Sequence, residues 1–373
     1  MVFFRSGTGL TVADGQGAVL SSHATVANAD WSRLYAVRGG ELVTSTPSSR
    51  VLATAAVPPG LVARVVSADG RFVALAGEGA TYAPVPRQRT RIVVADPSGE
   101  RPVRALRLAG NFEPEAFSSD GTHLFVLEYL PAAAPERYRV RRVEIASGTV
   151  VPLLLRDRSL VPPGAEEEMR GEGRQAVLAP DRSRLYTLYL HRGEHEYTRD
   201  LISGADVPQV HAFVHVLSLT EGWAYCLDLP SPFGEQPAGT HALAVSPNGT
   251  RLFIGELTTG QVAVADTTEL RITRVRRLAG GSPATDGTSM TVSPDGRSVY
   301  AGSGTTLHRL DARTLAQADV WRAPARIQGV AVAPDGGQVL LGQPDGIARL
   351  DTSSGEVVGT FAADGLRTLY LTR

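Results

Sequence analysis

Hydrophobic positions occur in short runs bounded by Gly, Pro, Asn, Asp or Ser from one end of the chain to the other. One unit recurs. An apolar strand ends in Ser/Ala-x-Asp/Asn-Gly, a second apolar strand follows, a third ends in Asp, and a fourth is more polar. The clearest copy occupies residues 241–278, and two further copies follow it. Helical periodicity is nearly absent, so the pattern predicts an all-β fold made of repeated four-stranded units.

Two turn signals mark the repeating unit. The first is an Asp-Gly or Asn-Gly hairpin, in which we expect both turn residues to need positive φ. The first residue of this turn recurs at Asp30, Asp69, Asp120, Asp181, Asn248, Asp295 and Asp335. A second turn closes the third strand at Asp14, Asp96, Asp266, Asp311 and Asp351. Because the two signals are independent and keep the same phase, they indicate a true repeat.

The two ends of the chain are complementary fragments of one unit. Residues 1–24 match the second, third and fourth strands, and residues 366–373 match a first strand. Each fragment alone would leave an unpaired strand edge, which favours aggregation. We therefore predict a single closed β-propeller domain over residues 1–373, in which the C-terminal strand joins the N-terminal strands. Seven turn-marked units plus this composite unit make eight blades, or seven if one unit is degenerate.

The segments Leu252-Phe253-Ile254-Gly255 and Val299-Tyr300-Ala301-Gly302 carry a family resemblance. They stand where β-propellers of the YVTN type, surface-layer-like relatives of WD-repeat proteins, have their namesake tetrapeptide. The chain resembles that family along its whole length, although the final Asn of the tetrapeptide and the Trp-Asp dipeptides are absent. The resemblance implies the propeller fold and no particular activity, because functions are grafted onto a fold.

Composition and charge limit the classes of partner that the protein is expected to bind. The formal net charge is −1 and the sequence pI is about 6.7, which argues against a nucleic-acid or polybasic membrane-surface protein. All 37 basic residues are Arg, which is typical of a GC-rich bacterial genome. No long apolar run and no signal peptide are found, so we expect a soluble chain. It would be cytoplasmic as written, and extracytoplasmic if an upstream anchor was removed.

Long connections are predicted on one face of the disc. In a four-stranded blade, the loops from second to third strand and from blade to blade share a face, and only these are long here. They cover residues 77–90, 129–138, 156–175, 191–211 and 230–241. Long loops on a compact domain are commonly functional, whereas the alternative is neutral surface insertion. We expect a protein, peptide or cell-envelope ligand on this face.

Polar residues near the starts of inner strands are candidates for a ligand site at the channel mouth. Glu113 and Glu115, with Glu128 at the end of the next strand, could bind a cation or act as an acid–base pair. Arg174, Gln328 and Arg367 hold comparable positions and could bind an anion. The alternative is that a channel mouth is polar only because it is wet.

Histidines supply a third set of candidates. His191 and His195 lie in the stretch HRGEHE, and His241 begins a later strand. His and Glu are common metal ligands, but no HExxH spacing is present, so a solvated loop is the simpler interpretation. We predict no cofactor, and a divalent cation is the one group that these residues would hold.

The absence of catalytic motifs favours a binding protein. No GxSxG, phosphate loop or strand-linked GxGxxG occurs. The sequence predicts a non-catalytic scaffold that recognises a protein, peptide or envelope polymer on its loop-rich face. The alternative, which the family resemblance implies, is a lactonase-like or related hydrolase with a metal or acid–base site at the channel mouth.

Overall fold

The structure is a computed structural model that describes residues 1–77, 85–162, 168–169, 172–190, 212–280 and 287–373, with backbone alone for 172–174. Its strands form eight four-stranded antiparallel sheets in a ring, and seven of these sheets consist of consecutive strands. The predicted closed β-propeller is confirmed, with eight blades rather than seven. Within the described ranges, no helix is long and apolar enough to cross a membrane.

The seven blades formed from consecutive segments are numbered along the chain. Blade 1 comprises β4 (Val26–Ala27), β5 (Leu34–Arg38), β6 (Glu41–Ser45) and β7 (Val51–Ala56), and blade 2 comprises β8 (Leu61–Val66), β9 (Val73–Gly77), β10 (Arg89–Ala95) and β11 (Arg104–Ala109). Blade 3 comprises β12 (Asn111–Phe117), β13 (His123–Leu130), β14 (Arg137–Glu144) and β15 (Val150–Pro152), and blade 4 comprises β16 (Glu172–Leu178), β17 (Arg184–Leu190), β18 (Ala212–Ser218) and β19 (Ala224–Asp228).

The later blades are the most regular. A three-residue 3-10 turn (Ala238–Thr240) precedes blade 5, which comprises β20 (His241–Val245), β21 (Arg251–Glu256), β22 (Gln261–Asp266) and β23 (Arg271–Arg277). Blade 6 comprises β24 (Ser289–Val292), β25 (Ser298–Ser303), β26 (Thr306–Asp311) and β27 (Gln317–Arg322), and blade 7 comprises β28 (Gly329–Val332), β29 (Gln338–Gln343), β30 (Gly346–Asp351) and β31 (Val357–Ala362).

The closing blade joins the two chain ends as predicted. It comprises β1 (Val2–Ser6), β2 (Gly9–Ala13), β3 (Val19–Ala24) and β32 (Thr368–Thr372). Strand β32 pairs with β1, and Phe4 lies opposite Leu369. The N-terminal amine of Met1 also donates a hydrogen bond to the Arg373 carbonyl at 2.6 Å. Pairing removes the two free edges that each fragment would otherwise expose.

The Ser-x-Asp-Gly turns are closed by side chains. In blade 2, Ser67 Oγ donates to Asp69 Oδ1 at 2.7 Å and accepts from the Phe72 amide at 2.9 Å. The Gly70 amide donates to the Ser67 carbonyl at 2.8 Å, and Gly70 adopts φ +73°. The expectation that both turn residues have positive φ is wrong. Only the residue after the Asp does, because the Asp carboxylate is held within an ordinary four-residue turn.

Apolar faces of neighbouring blades form the core. Leu188 and Val214 of blade 4, for example, lie in one buried cluster with Ile254 and Ala263 of blade 5. Similar clusters fill the other junctions, including the one between the closing blade and blade 1, where Phe3 is fully buried. Each blade therefore buries both of its faces, and the alternating pattern of apolar residues in the second and third strands follows from this.

The two faces of the disc are set by topology. The first strand of each blade, β32 in the closing blade, lies innermost and contacts the inner strand of at least one neighbouring blade. The turns after first and third strands make the tight-turn face, and the other connections make the long-loop face. Four of the five predicted long connections leave and re-enter the sheets on the long-loop face, although residues 78–84 and 191–211 lie outside the described residues.

The connection 156–175 does not follow the prediction that all five long connections lie on the long-loop face. Strand β15 has only three residues, after which the chain turns away from the long-loop face. Leu154 pairs with Trp223, and Arg156 donates to the Thr268 carbonyl at 3.0 Å. Arg158 forms an ion pair with Glu221. Trp223, Glu221 and Thr268 all belong to turns after third strands, so residues 154–158 run along the tight-turn face, and the connection is back at the long-loop face by residue 169.

Candidate functional site

Four of the eight inner strands carry a β-bulge. In β8, Ala63 pairs with Leu75 and Val65 pairs with Ala74, which leaves Arg64 unpaired in the register. The unpaired residues of the four strands are Arg64, Glu115, Arg174 and Tyr370. A bulge bends a strand and redirects a side chain. The bulged sector, defined as the closing blade and blades 1–4, thus differs from the regular sector, blades 5–7, whose inner strands pair without interruption.

A cavity of about 330 Å³ lies in the bulged sector of the channel. Its apolar lining residues are Leu10, Val26, Ala27, Ala29, Trp31, Val65, Val66, Ala68, Ala116, Phe117, Leu178, Leu185 and Leu219, and its polar ones are Arg5, Thr25, Arg64, Glu115 and Tyr370. Ala29, Trp31 and Ala68 belong to turns after inner strands, so the cavity reaches the tight-turn face. Its volume is at the lower end of the range for small-molecule sites.

Two turns next to this cavity lack the usual glycine. Trp31 and Arg182 stand at the position that Gly70 occupies in blade 2, with φ of +56° and +63°. Arg182 Nη1 donates to the Ala68 carbonyl at 2.8 Å, so its side chain crosses from blade 4 to blade 2. Trp31 contacts Tyr370, with ring centroids 5.5 Å apart. Non-glycine residues with positive φ are strained, and such strain clusters at functional sites.

Glu113 is buried and ion-paired on the channel wall. Its Oε1 lies 3.0 Å from Arg64 Nε and its Oε2 lies 3.7 Å from Arg87 Nη2. Burial raises the pKa of Glu113, and the charges of the two arginines only partly oppose this shift. Arg64 also donates to the Gly77 carbonyl at 2.8 Å. The predicted residue Glu113 therefore joins blades 2 and 3 within an ionic cluster.

Glu115 faces the cavity from the bulge of β12. Burial raises its pKa to about 7, and a hydrogen bond with Tyr189 opposes the shift. Its Oε2 is inaccessible to solvent and has no hydrogen-bond partner among the described residues. Behind it, Tyr189 packs against Tyr138 and against His215, whose pKa burial lowers to about 4. A carboxyl that titrates near neutrality can exchange a proton at the channel wall.

Glu128 does not join Glu113 and Glu115 in a paired-carboxylate site. It lies 2.7 Å from Arg139 Nε and 3.8 Å from Arg141 Nε, all on neighbouring strands of blade 3. Each of its two arginine partners is mostly buried. Glu113 and Glu128 are therefore each paired with two arginines, an arrangement that suits an anionic ligand better than a cation.

The described parts of three long connections are fixed to one another, and we call residues 85–88, 131–136 and 168–169 the long-loop platform. The Arg87 amide donates to the Ala132 carbonyl at 3.0 Å, and Asn111 Nδ2 donates to the Val85 carbonyl at 3.0 Å. Met169 exchanges two backbone hydrogen bonds with Tyr138, at 2.7 and 2.9 Å. These bonds place the three segments side by side over blades 2 and 3.

The other described candidates lie away from this cluster. His241 is fully buried, its Nε2 accepts from the Gly234 amide at 3.1 Å, and its ring packs against Phe233, so it holds the preceding connection in place. Gln328 precedes β28, and its Oε1 is buried without a hydrogen-bond partner among the described residues. Arg367 is exposed beside the closing blade, and its amide donates to the Arg5 carbonyl at 2.8 Å.

The remaining candidates fall outside what the structure describes. His191 and His195 lie in the range 191–211, and the side chain of Arg174 is likewise not described. Among the described residues, no group of three or more His, Cys, Asp or Glu side chains is placed to hold a metal ion. The divalent cation therefore stays a prediction that depends on those histidines.

Sequence reasoning missed five residues that line or border the cavity, namely Arg5, Trp31, Arg64, Arg182 and Tyr370. A signal for two of them was present, because Trp31 and Arg182 replace glycine in turns that otherwise conserve the Asp-Gly or Asn-Gly pattern along this chain. Arg5, Arg64 and Tyr370 lie in strands that show no departure from the repeat. Only the bulges and the ring closure bring them to the cavity.

The fold is shared with solved propellers of very different sequence. The structure of apo AztD from Citrobacter koseri is 11% identical with a TM-score of 0.57, and the match covers 99% of this chain and 96% of that one. Saccharomyces cerevisiae Sqt1 is 7% identical with a TM-score of 0.55, over 91% of this chain and 85% of that one. No protein-family model and no curated protein matches the chain. These similarities support the β-propeller fold alone.

Proposed function

We propose that the protein is a non-catalytic binding scaffold whose long-loop face recognises an acidic segment of a protein or peptide. The observation that carries the proposal is a pair of ionic clusters in blades 2 and 3. Arg64 and Arg87 hold Glu113, and Arg139 and Arg141 hold Glu128. A ligand carboxylate would bind through the arginine donors of these clusters, whose geometry suits carboxylate recognition.

The long-loop platform supports this proposal because it is ordered before any ligand arrives. Arg87 belongs both to the platform, through its backbone bond to Ala132, and to the ionic cluster, through Glu113. Fixing a binding loop in advance reduces the entropy that association costs. Arginine side chains held by carboxylates in fixed orientations also present donors suited to carboxylate recognition.

The test uses a fluorescein-labelled hexaglutamate peptide and fluorescence anisotropy with the full chain. We expect binding that weakens as salt is added, because partly exposed ion pairs are screened. Arg87→Gln and Arg139→Gln should each weaken binding about tenfold, since a hydrogen bond to a charged group contributes about 1.5–3 kcal/mol. Arg276→Gln, on the exposed outer strand β23, is the matched control and should bind like the wild type.

Three results would overturn the proposal. One is the absence of hexaglutamate binding at low salt. Another is an equal loss of affinity in Arg276→Gln. The third is binding of polygalacturonate without binding of the peptide, which would assign the face to an anionic envelope polymer. Melting temperatures of the variants separate lost binding from lost folding.

A hydrolase remains the second candidate because of Glu115. Its pKa of about 7 is suitable for a general base at neutral pH. The test is turnover of ester and lactone substrates by purified protein, together with its calcium and zinc content. Turnover abolished by Glu115→Gln would support this candidate, and no turnover with no bound metal would reject it.

A further inference from the structure

The cavity of the bulged sector has a mostly apolar lining and one arginine, Arg5, that forms no ion pair with a described residue. Most of its lining is aliphatic or aromatic, with Trp31 and Tyr370 in contact at one side. Of its two arginines, Arg64 is already ion-paired with Glu113. Arg5 donates from Nε to the Tyr370 hydroxyl at 2.9 Å, a neutral partner, and no ion pair joins it to a carboxylate of the described residues.

Arg5 lies exposed at the rim of this apolar cavity, and Glu115, the carboxyl of the same lining, is not its ion-pair partner. A cation beside low-dielectric surface attracts an anion more strongly than one in open water. The aromatic rings of Trp31 and Tyr370 offer faces to a planar ligand. The lining also suits apolar aliphatic atoms, through Val66, Phe117 and their neighbours.

We propose that this cavity binds a small organic anion with an aromatic or aliphatic body, whose carboxylate or sulfonate pairs with Arg5. The cavity reaches the tight-turn face, and Arg64 borders both it and the ionic cluster around Glu113. The proposal does not rest on the function proposed for the long-loop platform. A small molecule is favoured over a peptide because the space is limited to about 330 Å³.

Arg182 controls access to the site. Its bond to the Ala68 carbonyl crosses the tight-turn mouth beside residues that line the cavity. In most of the other turns of this kind the position is glycine, which would leave the mouth open. Retaining a strained arginine there fits a role in slowing the escape of a bound molecule.

The test uses 8-anilinonaphthalene-1-sulfonate as the probe, with its fluorescence followed on the purified full chain. We expect saturable binding at one site, displaced by 2-naphthoate and at least tenfold less effectively by neutral 2-naphthalenemethanol. Arg5→Gln should weaken probe binding at least tenfold, while Arg5→Lys should retain most of it. Ala29→Trp should abolish binding by filling the cavity, and Arg182→Gly should speed probe dissociation in stopped-flow measurements.

Matched controls separate this site from general surface adsorption. Arg322→Gln changes an exposed arginine of the regular sector, and Pro334→Trp adds a tryptophan at the turn position of blade 7 that Ala29 holds in blade 1. Both should bind like the wild type. Equal displacement by the neutral compound, or unchanged binding in folded Arg5→Gln and Ala29→Trp, would overturn the proposal. Circular dichroism melts establish which variants are folded.

Discussion

The regular and bulged sectors are built from the same repeat but differ in how closely their inner strands pack. In blades 5 and 6, a Cβ placed on Gly255 or Gly302 would lie only 2.5 Å from Met290 Sδ or 2.8 Å from Val330 Cγ2. Glycine there allows the inner strand of the next blade to approach closely. The corresponding residues of blades 1–4, counted from the turn, are Val37, Ala76, Leu127 and Leu188.

This difference shows that the channel is closely packed in the regular sector and open in the bulged sector. Inner strands of the regular sector are also tied laterally, as where Ser289 Oγ accepts from the Val330 amide at 3.0 Å. On the other side the bulges turn Arg64, Glu115 and Tyr370 toward the cavity. A uniform ring would have neither a pocket nor the charged wall, so the irregular blades are where a ligand site can form.

Deleting residues 366–373 should have the largest effect. It removes β32 and the buried side chains of Leu366 and Leu369, so the edge of β1 becomes unpaired and the apolar face of blade 7 becomes exposed. We expect loss of cooperative folding, because the lost burial and pairing approach the 5–15 kcal/mol that stabilises a typical domain. Shortening the connection 96–103 by three residues is the control and should shift the melting temperature little. An unchanged melting curve for the truncated chain would contradict ring closure.

Adding one carbon atom to an inner strand should lower the free energy of unfolding more in the regular sector than in the bulged sector. Gly329→Ala places a Cβ 2.6 Å from the backbone nitrogen of Leu369, so we expect destabilisation of about 1–3 kcal/mol. Val65→Ile also adds one carbon, beside the cavity, and should change stability by less than about 0.5 kcal/mol. Urea denaturation measures both. Equal losses would show that the bulged sector is packed as tightly as the regular one.

The Glu115 carboxyl should make stability depend on pH. Burial raises its pKa from 4.5 to about 7, so the folded state holds the proton more tightly than the unfolded chain. Its ionisation therefore costs stability as pH rises from about 4.5 to about 7, and the full cost applies above that range. Glu115→Gln should raise the melting temperature at pH 8 and change it little at pH 5.

An exposed glutamate is the control for this pH effect. Glu356→Gln should give the same small shift of melting temperature at both pH values, since that side chain is solvated. If Glu115→Gln also gave equal shifts at pH 5 and pH 8, the carboxyl would be as well solvated as Glu356. The proton-exchange role at the channel wall would then lose its basis.

The smallest effect is expected at the turn of Arg182. Arg182→Gly and Arg182→Ala both remove the bond to Ala68, but only glycine relieves the positive φ. We expect the glycine variant to be more stable than the alanine variant by about 1 kcal/mol. At Gly70, where the same φ is already held by glycine, Gly70→Ala should instead destabilise. Equal stability of the two Arg182 variants would argue against strain.

Part of the candidate site could be predicted. Glu113 and Glu115 were expected at the channel mouth from their position at the start of a predicted inner strand. The structure places Glu115 in the cavity lining and Glu113 in an ion pair with Arg64. Their partners could not be predicted, because Arg64 reaches Glu113 only through a bulge in another blade. The start of the connection 156–175 was also predicted on the wrong face, since the early end of β15 leaves no mark in the hydrophobic pattern.

The sequence alone determined the ring, because turn chemistry and alternating burial are local properties that each unit carries in its own residues. The complementary chain ends determined its closure for the same reason. Only the tertiary structure decided which side of the channel is open, since a bulge depends on how one blade packs against the next. It also decided that Arg5, Trp31 and Arg182, distant along the chain, surround or border one cavity.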